Sequence, residues 1–275
     1  MRSTMLAKFL RHTVATAAVT LGVATQVVAA PTFQINPSVI GGPAGTYTAD
    51  FINGNASTLL TLIPGVPGTT SGSGYIIFSS FALNNVPVVN TSPPGSSSGF
   101  NVFATYNFTT TLTSGTLGGL GSTYNVTSLQ FNLYGDNLAV GPNATFTAAT
   151  SSGASGTPAI VTLGNAQLLG AGSLAVTGVS DINAQGGTSF TTTELFNLTP
   201  FGSTFFTDPV PFFNLAFNSF TNTQPGVTRS SDGLHLAINN ASGGVDFNRS
   251  VPEPATMALV GIALLGVAVS RRRKA

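Results

Sequence analysis

Leu129-Gln130-Phe131-Asn132-Leu133 places its apolar residues on one face of an extended chain and its amides on the other. Phe213-Asn214-Leu215-Ala216-Phe217-Asn218 and Leu234-His235-Leu236-Ala237-Ile238-Asn239 repeat the period of two. Successive side chains of a strand point to opposite faces, so alternation of this kind marks strands with one buried face. The phase predicts that Phe213, Leu215 and Phe217 share an inner face, with Asn218 outside. It likewise places Leu234, Leu236 and Ile238 inside and leaves His235 on a solvated surface.

Around these segments the same alternation, with Thr and aromatic residues, predicts strands near 47–52, 58–63, 75–83, 102–112 and 124–134. Further strands are expected near 144–149, 160–163, 173–179, 190–198, 212–220 and 234–238. Turn-rich links punctuate them at 64–74, 90–99 and 151–158. No stretch between Thr32 and Asn248 carries a helical period. The fold expectation is therefore all-β, a single β-sandwich or jelly-roll-like domain. The segment 151–156 reads as a surface loop within it.

The two ends differ from this body. Arg2, Lys8, Arg11 and His12 precede an apolar, small-residue run at 13–28, and Val27-Val28-Ala29 follows as a cleavage site. That is the pattern of a secretory signal peptide, with signal peptidase expected to cut after Ala29. At the other end, Pro252-Glu253-Pro254 precedes an uncharged apolar run at 257–269 and then Arg271, Arg272, Arg273 and Lys274. Such a run inserts as a membrane helix with its cations held on the cytoplasmic side. The expected organisation is a signal peptide at 1–29, an all-β extracellular body at 30–250, and a sorting tail at 251–275 with a transmembrane helix.

Removing the ends reverses the charge. The whole chain is +1, but between residues 31 and 250 two arginines stand against seven carboxylates, a net of −5. Nothing there neutralises phosphates, so no nucleic-acid partner is expected. With no cysteine in the chain, disulfides, thiolate metal sites and cysteine nucleophiles are excluded. The body is charge-poor yet rich in Phe, Leu, Val and Ile, unlike a disordered chain.

The tail resembles the PEP-CTERM sorting signal in order, spacing and C-terminal position. Pro252, Glu253 and Pro254 match its PEP motif, 257–269 its membrane segment and Arg271–Lys274 its basic stop. The resemblance implies an exosortase as processing partner and a precursor anchored by the C-terminal helix. Its destination would be the cell surface or an exopolysaccharide matrix. Two stretches of the body, TFQINPSVIG with GTYTADFING (32–54) and LFNLTPFGSTFFTDPVPFFNLAF (195–217), resemble a PEP-CTERM group associated with flocculation. That resemblance implies adhesion of cells through exopolysaccharide.

The residues that might carry chemistry are few. His235 follows Asp232 by three, yet no G-x-S-x-G elbow accompanies them. The acids are scattered; Asp181 with Glu194, or Asp232 with Asp246, are the carboxyl pairs that might face one another as a glycosidase requires. Asp181-Ile182-Asn183 followed by glycines resembles the opening of a calcium loop, with Asp181 and Asn183 as weak candidate ligands. The twelfth position is Thr192 rather than Glu, so a polar turn is the better reading. The expected role is structural or adhesive, without turnover or cofactor, in flocculation or biofilm. Self-association along uncharged strand edges is a further expectation. The alternative is a carbohydrate-binding module, calcium-assisted, with one defined groove.

Overall fold

The computed structural model describes residues 31–63, 66, 68–222 and 226–248, with Phe217 through its backbone. The expected signal peptide, the PEP motif, the tail helix and the basic stop lie outside the described residues.

The strands run β1 (Phe33–Ile35), β2 (Tyr47–Ala49), β3 (Phe51–Leu62), β4 (Thr69–Leu83), β5 (Val86–Asn90), β6 (Phe100–Ser114) and β7 (Ser122–Asn137). Four short ones follow: β8 (Thr145–Thr147), β9 (Thr150–Ser152), β10 (Ser155–Thr157) and β11 (Ile160–Thr162). The chain then continues through β12 (Gln167–Ile182), β13 (Thr188–Leu198), β14 (Phe206–Asp208), β15 (Leu215–Thr221), β16 (Val227–Arg229) and β17 (His235–Asn248).

Eight long strands pair antiparallel in the order β3-β4-β6-β7-β12-β13-β15-β17, and β17 returns to pair with β3. The result is a closed up-and-down barrel. The all-β class holds, and opposite walls face one another across an apolar interior as in a sandwich. They belong to one sheet, however, and neighbours in the sheet follow chain order, which replaces the expected jelly roll with a meander. Closure also leaves the eight long strands no free edge, so edge-to-edge self-association has no template there.

The interior is filled by rings. Phe108, Tyr124, Val126, Leu129, Ile182 and Leu236 pack toward one rim. Toward the other, Phe78, Phe81, Phe100, Phe196 and Phe247 are buried together with residues from outside the barrel. Those residues come from β1, the 3-10 turn Pro37–Ile40, the helical turn Gly202–Phe205 and β14. β1 pairs with both β2 and β14, so the segments 33–49 and 199–213 fold together as a cap on that rim. Phe247 lies 5.3 Å from Phe33, 5.1 Å from Phe196 and 5.2 Å from Phe212, which fastens the cap to the barrel.

Glycines make room for these rings. A Cβ on Gly72 would meet the Phe108 ring at 2.3 Å, and one on Gly172 the Phe131 ring at 2.2 Å. This is why β4 begins at Thr69, through a Gly- and Ser-rich stretch that reads as a link in sequence. The segment 151–158, expected as a loop, largely forms the β9–β10 hairpin, with Thr150 paired to Thr157.

Candidate functional site

The barrel wall has opposite chemistry on its two sides. Along β6, Ala104, Tyr106, Phe108 and Thr110 line the lumen, while Asn107, Thr109 and Thr111 face outward. Along β7, Leu129, Phe131 and Leu133 line the lumen, and Gln130 and Asn132 are exposed. Outward hydroxyls and amides bond across strands. Thr109 Oγ1 lies 2.6 Å from Ser128 Oγ, Thr191 Oγ1 lies 3.3 Å from Ser219 Oγ, and Ser242 Oγ donates to Asn55 Oδ1 at 2.9 Å. A barrel set in lipid carries an outward apolar band instead.

On this outer wall, β4, β3, β17 and β15 form a shallow open groove of about 400 Å³. Its sides are Asn53, Asn55, Ser79, Ser219 and Ser242, and its floor is Gly54, Gly243 and Gly244. Phe51 adds one half-buried ring, which lies so close over Gly244 that a Cβ there would meet it at 2.2 Å. An aromatic face beside neutral donors and acceptors, with no charge in the lining, suits a neutral sugar chain. Sequence reading missed this groove because its residues come from four strands. The adjacent Gly243-Gly244 was the local signal, since paired glycines inside a strand flatten a surface.

The lumen holds a cavity of about 80 Å³ lined mainly by Phe, Leu and Ile, with Asn218, Asp181 and Tyr106 among its polar members. Glu194 is fully buried, held by Thr192 Oγ1 and by Asn218 Nδ2, which donates to its Oε1 at 2.6 Å. Burial pushes its pKa up to about 7, against the lowering effect of those two bonds. This network reverses the expected phase of β15. Asn218, with Ala216 and Phe220, borders the lumen, while Leu215 is half-exposed.

The two carboxyl pairs weighed for glycosidase chemistry are not brought together. Glu194 pairs with Leu174, seven residues along β12 from Asp181, a separation of about 20 Å at the usual rise per residue. Asp232 precedes β17 and Asp246 lies near its far end, more than about 30 Å away by the same rise. Asp232 accepts bonds from Ser230 Oγ and from the Leu234 N–H, and both hold its pKa below the ordinary carboxylate value. The Ser230 hydroxyl also accepts the His235 N–H at 2.9 Å, so this trio braces a turn.

His235 faces outward as expected, but it is not freely solvated. Gly156 of the β9–β10 hairpin sits against it, and its Nδ1 lies 3.4 Å from Thr61 Oγ1. At the calcium-like stretch, Asn183 Oδ1 accepts the Gln185 and Gly187 N–H groups, both at 2.9 Å. Asp181 Oδ2 accepts from Ser189 Oγ at 2.5 Å. Asp181 and Asn183 are thus engaged in the hairpin turn between β12 and β13, with Gly186 at φ +85°. Among the described residues there is no cluster of three or more His, Cys, Asp or Glu placed to hold a metal. Among them, too, no helix is long and apolar enough to cross a membrane.

Comparison with known proteins adds evidence at one end of the chain. No curated protein and no solved structure matches it. Residues 250–274 match the family model of the PEP-CTERM protein-sorting motif, so the chain carries that motif at its C-terminus, which implies processing by an exosortase and a precursor destined for export.

Proposed function

We propose that the protein is a surface or matrix component whose barrel adheres to neutral exopolysaccharide and helps cells aggregate, without turnover. The observation that supports this most is the inverted wall: phenylalanines fill the inside, and Thr, Ser, Asn and Gln ladders cover the outside. Neutral hydrogen bonds to sugar hydroxyls are individually weak, and repeated along a polymer they give avidity. The flocculation-like stretches 32–54 and 195–217 supply much of the cap on one rim, which leaves free for contact the part of the outer wall that the excursion between β7 and β12 does not cover. On this reading signal peptidase removes residues 1–29, and the C-terminal helix holds the precursor until the exosortase acts.

The groove beside Phe51 favours a second reading, a carbohydrate-binding module with one defined site. The two separate in a binding experiment with exopolymer from the producing strain and with purified oligosaccharides. Diffuse binding to polymer that survives Phe51→Ala supports the matrix role. Saturable one-site binding that Phe51→Ala removes supports the module and contradicts the diffuse reading.

A further inference from the structure

We propose that Asp136, Asn101 and Asn143 form a binding site for a hard divalent cation of the calcium type. Asn101 and Asp136 are direct partners in the β6–β7 register. Both belong to the outer side of the barrel, where a carboxylate would normally be wet. Instead they are 1% and 0% exposed. The excursion between β7 and β12 accounts for this: Leu138 and Ala144 are buried there, and Phe146 packs on Phe103, two residues beyond Asn101.

Within this enclosure the polar accounts do not close. The Ala144 N–H donates to Asp136 Oδ2 at 2.8 Å, but Asp136 Oδ1 has no partner. Neither side-chain atom of Asn101 has one. Asn143 directly precedes Ala144; its Nδ2 donates to the Leu138 carbonyl at 3.0 Å, and its Oδ1 is buried without a partner. Buried polar atoms are almost always satisfied, and exceptions gathered on neighbouring residues are where a bound water or ion is to be sought. The orphaned oxygens of Asp136 and Asn101 thus belong to register partners, and that of Asn143 to the residue just before Ala144, whose N–H holds the Asp136 carboxylate.

The chemistry of the donors selects the occupant. The acceptors among them are all hard oxygens, with no imidazole or thiolate, and a buried carboxylate without a counter-charge is costly. Arg229, the one Arg or Lys among the described residues, pairs with Leu236 near the opposite rim and does not supply it. Calcium accepts mixed carboxylate, amide and backbone oxygens in flexible geometry. A single carboxylate sets the affinity in the weak range of extracellular modules, Kd about 10⁻⁴–10⁻³ M. The site is distinct from the Asp181–Asn183 turn, whose oxygens are already engaged.

The test uses the full chain in mild detergent, stripped with a chelator and titrated with calcium chloride by calorimetry and thermal unfolding. One-site binding is expected, with Tm raised by about 3–5 °C at tenfold excess over Kd. Asp136→Asn should abolish both responses and Asp181→Asn neither. Asn101→Asp, which adds a second carboxylate, should tighten binding at least about tenfold. No heat and no shift in the wild type would mean that no cation fills the site, and would overturn the proposal. A response retained in Asp136→Asn would overturn it equally. Should Asp136→Asn fail to fold, unchanged or weaker affinity in Asn101→Asp decides against it.

Discussion

Asn218 Nδ2 donates a 2.6 Å hydrogen bond to Glu194 Oε1 beside a lumen lined mainly by phenylalanine, leucine and isoleucine. The two sit on adjacent strands, and Thr192, the direct register partner of Asn218, bonds the same carboxyl oxygen. Burial nonetheless dominates and raises the carboxyl's pKa from 4.5 to about 7.

This shift predicts how stability depends on pH. Between about pH 4.5 and 7 the folded barrel keeps a proton that the unfolded chain has released. Stability is therefore greatest below that window and falls as pH rises through it, by an amount on the order of 3 kcal/mol. Asp246, also raised by burial, adds a slope of the same sign. Guanidinium unfolding at pH 5 and pH 8 should show the loss, and Glu194→Gln should remove most of it. An equal loss in Glu194→Gln would mean that other groups carry the dependence.

The wall's two faces predict opposite responses at neighbouring positions. Val126 is fully buried in the lumen and Asn125 is exposed on the outer side of β7. Val126→Asp should cost several kcal/mol, about 3 or more, because it buries an unpaired charge. Asn125→Asp should stay within about 0.5 kcal/mol of wild type. Similar losses in denaturant melts would mean that the β7 phase is wrong.

The cap predicts that one ring does much of the fastening. Phe247→Ala should cost about 3–5 kcal/mol, since it leaves a void among Phe33, Phe196 and Phe212. Phe51→Ala, at a half-exposed ring, should cost far less in the same melts.

What could be read in the sequence follows from where each signal is local. The alternation at Leu129–Leu133 was legible because apolar residues take the lumen and amides the solvent there. The phase of β15 was not, because a polar pair stands on the inner face and inverts the pattern. Asn218 reads as an outward residue unless its partner Glu194, 24 residues away, is known to be buried. The start of β4 was hidden by glycines whose role is to admit the Phe108 ring. Barrel closure depends on β17 meeting β3 across most of the chain, and no window of sequence contains that contact. The same holds for the groove, assembled from four strands. The sorting motif was legible in full, because order and spacing within 25 residues define it.

Adhesion through neutral groups predicts weak dependence on salt. Binding of the protein to the producing strain's exopolymer should change less than about twofold between low and moderate ionic strength, since no ion pairs are being screened. Alanine at His235, Asp181 or Glu194 should leave aggregation of the cells intact. A steep loss with salt would place the interaction on the body's acids, and abolition by one of these alanines would reveal a discrete site.

The most direct test of the account is the fate of the chain when Pro252-Glu253-Pro254 is replaced by three alanines. The wild-type body should be recovered from the cell-surface and exopolymer fractions, freed of its tail. The variant should accumulate in the membrane fraction as an unprocessed precursor, and cells carrying it should aggregate less. Recovery of the variant from the exopolymer at wild-type levels and size would contradict the account.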